Sequence, residues 1–284
     1  MRTHSHTIQT SYDMTLVNHF VELLAEFGSV PKSEVRARLD MEMAERGHLV
    51  AKAWQQADPQ TAEEVTRFYQ TTNSYLYNLA ADHSCLERPV VLDVVVERIE
   101  KHGRSLDILV YGDGIGTDSI TLARRHHRVT YFDLPGKTSD FARFRFQKEG
   151  LDHRIDVLGR AEEIPAGKFD AVVCIEVLEH VPDPIGTMTN LHTALKNGGI
   201  ALITESFESI GPEFPSHLPE NIQYAGKIHR LMEGLGFVNT YCNYDPVNRP
   251  MEFMKADMTL SGLVSQIAGR FRRAIHTRWR YLSH

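Results

Sequence analysis

From residue 11 to about residue 103 apolar positions recur at helical spacing, and nothing in this stretch alternates with a period of two. Leu16, Val17, Phe20, Leu23, Leu24 and Phe27 share one face of a first helix that Gly28 stops. A second, highly charged helix is expected from residue 33 to near residue 56, ended by Asp58-Pro59. Thr61-x-x-Glu64 reads as a capping box. It opens a third, aromatic helix whose apolar side carries Val65, Phe68, Tyr69, Leu76 and Leu79. Pro89 stands where the first turn of a helix tolerates it, and Val90, Leu92, Val95 and Ile99 run on to Gly103.

At Leu106 the period changes. Short β-rich runs at 106–111, 129–132, 155–158, 171–175, 200–204 and 237–242 alternate with helical stretches, and glycine pairs punctuate the joints. This βαβ alternation predicts an α/β chain with a parallel sheet covered by helices on both faces. Beyond Asp257 there are no acids, while Arg270, Arg272, Arg273, Arg278 and Arg280 are interleaved with apolar residues including Phe271 and Trp279. That stretch, 259–284, predicts a basic amphipathic helix.

Composition narrows the class. A chain of 284 residues, 42% hydrophobic and 24% charged, can bury a full core, which excludes disorder and a fibre. A net charge of −6 offers no general attraction to nucleic acid or anionic lipid, so such a contact would have to be local. Cys85, Cys174 and Cys242 are odd in number and far apart, giving neither a disulfide framework nor a Cys-x-x-Cys metal site; a reducing, cytoplasmic setting is expected. No leader-like apolar stretch opens the chain, and no window has the apolar length of a membrane span.

Chemistry gathers after the first β-run. It leads directly into Gly112-Asp113-Gly114-Ile115-Gly116-Thr117-Asp118 and then a helix. Glycines spaced by two let the backbone turn sharply and approach a ligand closely, with helix amides aimed at it. The next strand ends in Phe132-Asp133, where a carboxylate can accept both hydroxyl hydrogens of a ribose. An adenosine-type nucleoside is the shared implication. The turn lacks the third glycine of the dinucleotide fingerprint, Thr117 standing in its place, which argues against a pyrophosphate.

Five runs in order carry a family resemblance: Val110 to Thr117, Phe132-Asp133, Gly159-Arg160-Ala161-Glu162-Glu163-Ile164-Pro165, Phe169 to Pro184 with its Glu176-x-x-Glu179-His180-Val181-Pro182-Asp183-Pro184, and Ala194 to Gly199. Together they resemble the class I methyltransferases dependent on S-adenosylmethionine (SAM), over roughly residues 107–237. The resemblance is greatest to the small-molecule branch that includes the ubiquinone-pathway O-methyltransferases. It implies a Rossmann-like, seven-stranded, mostly parallel sheet whose last strand, near 252–256, inserts antiparallel. The chain would then divide into an N-terminal all-α cap (1–104), a SAM-binding core (105–258) and the basic C-terminal helix (259–284). The implied cofactor contacts are Tyr111, Gly112, Asp113 and Gly114 at the methionine turn, Asp133 and Leu134 at the ribose, Ala161 and Glu162 at the adenine, and Ile175 beside the sulfonium. Two positions depart from the family pattern: Val110 stands where an acid is usual, with Asp113 in the glycine turn, and Arg160 replaces an adenine-side Asp.

Methyl transfer from a sulfonium needs alignment and sometimes a base. His180 and His217, in loops beyond strand ends, are the candidate bases for a hydroxyl or amine. Glu176, Glu179 and His180 resemble a divalent-metal site, but a carboxylate pair with one histidine lacks further ligands, so no metal is predicted. Tyr69 and Tyr75 are the candidate substrate contacts, roofing the cleft from the cap, whereas Phe68 reads as packing. Cys174 reads as a buried hydrophobe, and His126, His127 and His153 as surface residues. The expected acceptor is a small-molecule metabolite, not nucleic acid. Rival readings are a metal-assisted RNA methyltransferase, and a non-catalytic SAM-fold protein or NAD oxidoreductase. The C-terminal arginines suit a solvated face, peripheral membrane contact or a homodimer helix.

Overall fold

The computed structural model describes residues 11–86, 88–211, 214, 216–242 and 250–256. The expected C-terminal helix lies outside the described residues.

The first helix, α1 (Met14–Gly28), begins where the Asp13 carboxylate accepts the Thr15 amide at 2.8 Å, and it ends at Gly28 as expected. The charged helix expected over 33–56 is two: α2 (Lys32–Ala44) and α3 (His48–Ala57). The break is made by Glu42, fully buried, whose carboxylate accepts the amides of Gly47 at 3.0 Å and Leu49 at 2.6 Å. A side chain reaching forward to satisfy the first amides of a new helix stabilises the turn over continuation. Likewise the aromatic helix divides into α4 (Ala62–Thr71), opened by the expected Thr61/Glu64 capping box, and α5 (Ser74–His83). Thr72 is extended there, and its hydroxyl accepts the Ser74 amide at 3.1 Å. α6 (Arg88–His102) ends just before Gly103, as its pattern predicts.

The sheet contains β1 (Asp107–Tyr111), β2 (Arg128–Phe132), β3 (Ile155–Leu158), β4 (Phe169–Cys174), β5 (Leu195–Ile203), β6 (Phe237–Tyr241) and β7 (Met251–Lys255). Its seven strands are ordered 3-2-1-4-5-7-6, parallel except that β7 runs antiparallel to both β5 and β6. Strands reading Ile-Leu-Val-Tyr or Ala-Val-Val-Cys, apolar on both faces, can only be covered on both. The helices α7 (Thr117–Arg124), α8 (Lys137–Lys148), α9 (Pro184–Ala194) and α10 (Ile228–Gly234) cover them. β5 begins earlier than its apolar run suggests. Its pairing with β4 shifts between Phe169 and Ala171, so that Asn197-Gly198-Gly199 is absorbed as a bulge.

One further point corrects the sequence reading, and one contact lies outside it. His127 is not a surface residue: it is 1% exposed, and its Nδ1 accepts the Leu106 amide at 3.1 Å, closing the α7–β2 turn onto β1. Glu252, on β7, is a buried ion-pair partner, bonded by Arg98 at 2.8 and 3.0 Å and by the Thr240 hydroxyl at 2.6 Å. That contact ties α6 to the antiparallel edge of the sheet.

The helical cap shares its core with the sheet domain. Val17, Phe20, Leu24, Leu39 and Leu76 pack in one apolar cluster with Ile115 of the glycine turn and Phe141 of α8. The cap is thereby seated over the carboxyl ends of β1 and β2. In open α/β sheets ligands bind at that end. Among the described residues no helix is long and apolar enough to cross a membrane.

Candidate active site

The glycine turn leaves β1 with Gly112 at φ 74° and Gly114 at φ 55°, left-handed backbone that side-chain-bearing residues rarely adopt. Space reinforces the requirement: a Cβ on Gly112 would stand 2.6 Å from Val177, and one on Gly114 would stand 2.6 Å from Leu79 of the cap. β2 holds the turn from beside. The Asp133 carboxylate accepts the Gly114 and Leu134 amides, both at 2.7 Å, and the Tyr131 hydroxyl donates to the Gly114 carbonyl at 2.7 Å. Burial pushes the Asp133 carboxyl up to about 6, against the pull of those two amides. A carboxylate has about four acceptor directions, so those amides leave Asp133 room for further hydrogen bonds.

Asp113 spends its carboxylate elsewhere. It accepts the Asp118 amide at 3.1 Å and the Ser119 amide at 2.8 Å, capping α7 beneath the turn. Burial and the neighbouring Asp118 push its carboxyl up to about 7. Arg88 pairs with Asp118 at 2.6 Å, and His83 Nδ1 lies 2.7 Å from the Thr117 hydroxyl. Arg88 and His83 line the cavity beside Gly112 and Gly114, as cap residues that no sequence motif singles out.

Tyr111, Gly112, Asp113, Gly114, Asp133, Leu134, Ala161, Glu162 and Ile175, the full cofactor set the resemblance implies, border one cavity of about 2240 Å³. Tyr111 is buried, its ring 4.7 Å from that of Phe132. Arg160, at the adenine-side departure, pairs with Glu163 at 3.0 Å.

His180, His217, Tyr69 and Tyr75 border the same cavity, with Glu176 and Glu179. β4 ends at Cys174, which is fully buried as expected, and Glu176 then takes φ 52°. A short 3-10 turn, Leu178–His180, presents Glu179 and His180. His217 arrives from the segment after β5, its ring centroid 4.6 Å from that of His180. One ligand atom each from Glu179, His180 and His217 lies within 4.8 Å of the others. The Ser206 hydroxyl sits 2.9 Å from Glu176 Oε2 and 2.9 Å from Glu179 Oε1, joining Glu176 to this group. Glu176 Oε1, Glu179 Oε2 and His217 Nδ1 are buried without a hydrogen-bond partner. Three orphaned lone-pair groups at one place are costly unless something binds there.

Burial and the adjacent His217 ring push His180 down to about 3, and burial also lowers His217. Both rings are therefore neutral near pH 7. His180 Nδ1 donates to the Ser216 carbonyl at 3.1 Å, which leaves its Nε2 as the lone-pair nitrogen. Burial and Glu176 hold the Glu179 carboxyl well above the usual carboxylate range. Above the cluster, the Tyr69 and Tyr75 rings stack at 5.0 Å with their hydroxyls 3.2 Å apart, and Tyr69 stands 6.2 Å from His180. Phe68, behind them, packs edge-on to Trp54.

A seven-stranded sheet in this order, with a glycine turn after β1 and a half-buried carboxylate just after β2, is the architecture of a class of nucleoside-binding α/β domains. The methyltransferase domain family matches residues 86–248, more than half of the chain, and the chain belongs to that family. Over 114 residues it is 39% identical to the ubiquinone biosynthesis O-methyltransferase of Xanthomonas axonopodis pv. citri (strain 306), covering 39% of this chain and 46% of that one. It is 37% identical over 114 residues to the ubiquinone biosynthesis O-methyltransferase of Xylella fastidiosa (strain M23), covering 39% and 45%. The matched stretch is less than half the length of these curated relatives. Among solved structures, the 1,6-didemethyltoxoflavin-N1-methyltransferase of Burkholderia thailandensis aligns with a TM-score of 0.45 at 21% identity, over 60% of this chain and 78% of that one.

Proposed function

We propose that this protein transfers the methyl group of SAM to a hydroxyl oxygen of a small molecule. One observation carries the reading: the glycine turn with Asp133 and the Glu176/Glu179/His180/His217 cluster open into the same cavity, under the Tyr69/Tyr75 roof. The O-methyltransferase names of the relatives support it.

SAM suits the residues present. The turn at Gly112 and Gly114 is bare of side chains, Asp133 offers its remaining lone pairs to the ribose hydroxyls, and Arg88 places a cation beside the turn for the methionine carboxylate. Transfer is an in-line displacement. The acceptor oxygen forms the new bond to the methyl carbon while the carbon–sulfur bond breaks, its electron pair staying on sulfur, and the hydroxyl proton passes to a basic group of the cluster or to water. The protein's share is to align oxygen, carbon and sulfur and to make the hydroxyl acidic. A neutral hydroxyl is a weaker nucleophile than a neutral amine and gains more from losing its proton, so a cluster that can activate an acceptor favours a hydroxyl.

His180, pushed so low, is a weak base but a ready ligand. Its Nε2, 4.0 Å from Glu179 Oε1, joins one nitrogen of His217 and the carboxyl group of Glu179, with Glu176 linked through Ser206, in a mixed nitrogen–oxygen set that fits a divalent transition-type cation. Such an ion, when bound, supplies Lewis acidity that lowers the pKa of a hydroxyl held at it. His217 is the ligand that the contiguous Glu176-x-x-Glu179-His180 run lacks by itself. The stacked tyrosines would hold a planar acceptor against the cluster and exclude water.

Calorimetry with S-adenosylhomocysteine and with NADH, followed by transfer from labelled SAM to a panel of hydroxylated ring compounds with and without Mn²⁺, tests the reading. Binding of the homocysteine product and Mn²⁺-dependent labelling of oxygen are expected. Binding of NADH in its place, or labelling of RNA alone, would overturn it.

A further inference from the structure

We propose that Thr204 and Ser206 are positioning residues, whose hydroxyls set the Glu176/Glu179 pair in one fixed arrangement at the end of β4. The inference rests on the reading that this cluster holds a divalent cation.

Thr204 continues the line of β5 by one residue, and its amide donates to the Cys174 carbonyl at 3.2 Å. Its side chain does something separate: the hydroxyl oxygen accepts the Glu176 amide at 2.9 Å. Glu176 is at that point in left-handed backbone, φ 52°, which a residue bearing a Cβ adopts only when its surroundings hold it there. A hydrogen bond to its own amide from the neighbouring strand end is such a hold. The consequence is directional, because the left-handed residue turns the chain out of β4 and brings Glu176 beside Glu179.

Ser206 then takes up one oxygen of each acid. Its hydroxyl, 2.9 Å from Glu176 Oε2 and 2.9 Å from Glu179 Oε1, carries one proton: it donates to Glu176 and accepts from Glu179, whose carboxyl burial and Glu176 hold well above the usual range, while Glu176 Oε1 and Glu179 Oε2 are left buried and unpartnered. A hydroxyl that holds one oxygen of a carboxyl group fixes the direction of the whole group, and Glu179 Oε1, so held, stands 4.0 Å from His180 Nε2. Thr204 and Ser206 are both buried and both border the cavity. The same segment after β5 supplies the Ser216 carbonyl that fixes the His180 tautomer, and His217 itself. Pre-setting the cluster thus falls to residues just beyond β5, the neighbour of the strand whose exit carries its acids.

The test uses the full chain freed of metal by chelation. Mn²⁺ binding is read from the paramagnetic resonance of the free ion, and S-adenosylhomocysteine binding is read by calorimetry. Glu179→Gln defines the signal that belongs to the cluster. Thr204→Val and Ser206→Ala are each expected to weaken Mn²⁺ binding about ten- to a hundredfold, the range for lost orienting partners. Thr204→Ser, which keeps the hydroxyl, is expected to bind Mn²⁺ as the parent does, and all variants are expected to keep the parent's affinity for S-adenosylhomocysteine. Unchanged Mn²⁺ affinity in Thr204→Val and Ser206→Ala would overturn the inference. So would a parallel loss of S-adenosylhomocysteine binding, since that marks general damage and not positioning. Failure of the parent protein itself to bind Mn²⁺ would instead remove the cation reading on which the inference stands.

Discussion

The two ends of the cavity are built in different ways. The glycine-turn end is mostly backbone: a turn of left-handed glycines, one carboxylate held by two amides, and a tyrosine hydroxyl on a carbonyl. Its parts come from β1, β2 and the loops directly after them. The acid–histidine end is mostly side chain. It draws Glu176, Glu179 and His180 from the β4 exit, Ser206 and His217 from beyond β5, and Tyr69 and Tyr75 from the cap. A site made of backbone is insensitive to most single substitutions but intolerant of any added Cβ. A site made of converging side chains can be taken apart one group at a time.

The largest separation of the two ends is expected from the histidines. The double variant His180→Ala with His217→Ala is expected to lower turnover by about a thousandfold, the scale of lost activation of a nucleophile. S-adenosylhomocysteine affinity, measured by calorimetry, should stay within about twofold, because alignment of the cofactor does not use these rings. Equal loss at both would mean the two ends are one cooperative unit. Asp133→Ala is expected to act in the opposite sense. It removes charge-assisted hydrogen bonds worth about 1.5–3 kcal/mol each, so S-adenosylhomocysteine should bind about a hundredfold more weakly, with Mn²⁺ binding untouched.

A pH effect of up to about tenfold per unit follows from Asp133. On the proposed reading the ribose hydroxyls donate to the ionised carboxylate, whereas burial raises the free protein's carboxyl to about 6. Protons therefore compete with the cofactor. The dissociation constant should be flat above pH about 6 and rise as pH falls below it; calorimetry from pH 5 to pH 8 reads this, and a flat profile would displace Asp133 from the ribose. Linkage to folding has its own sign. A carboxyl raised above its unfolded value contributes stability that is present below the unfolded value and lost as pH rises through about 6 in the cofactor-free protein. The smallest effect is expected at the roof: Tyr75→Phe removes the hydroxyl that meets Tyr69 at 3.2 Å but keeps the stacked ring. Losing one neutral hydrogen bond, about 1 kcal/mol, should raise the acceptor's KM several-fold and leave kcat and S-adenosylhomocysteine binding unchanged.

Legibility in the amino-acid order follows the same division. The glycine turn and Asp133 are readable because each is a contiguous signal at a strand end, and the capping box at Thr61 is readable because its partners are three residues apart. Asp113 was legible as a member of the turn but not as the cap of α7, since only the fold shows which amides its carboxylate meets. The break between α2 and α3 was hidden for a similar reason: Glu42 resembles any surface acid until it is found buried against two amides. The candidate cluster was half visible. Glu176, Glu179 and His180 stand in one run, but nothing local ties His217, Thr204 or Ser206 to them.

The sequence by itself determined the succession of helices and strands, the glycine turn that backbone sterics demand, and the carboxylate that follows β2, because those depend on residues within a turn or two of one another. Only the tertiary structure decided which acids are buried as caps, that the cap's Tyr69 and Tyr75 stand over the β4 exit, and that His217 completes the group at Glu179 and His180. Those outcomes depend on where separate strands end in space. Side chains distant along the chain meet there because the parallel sheet sends the ends of β1, β2, β4 and β5 to the same edge, while the cap packs down on Ile115 and Phe141 above them.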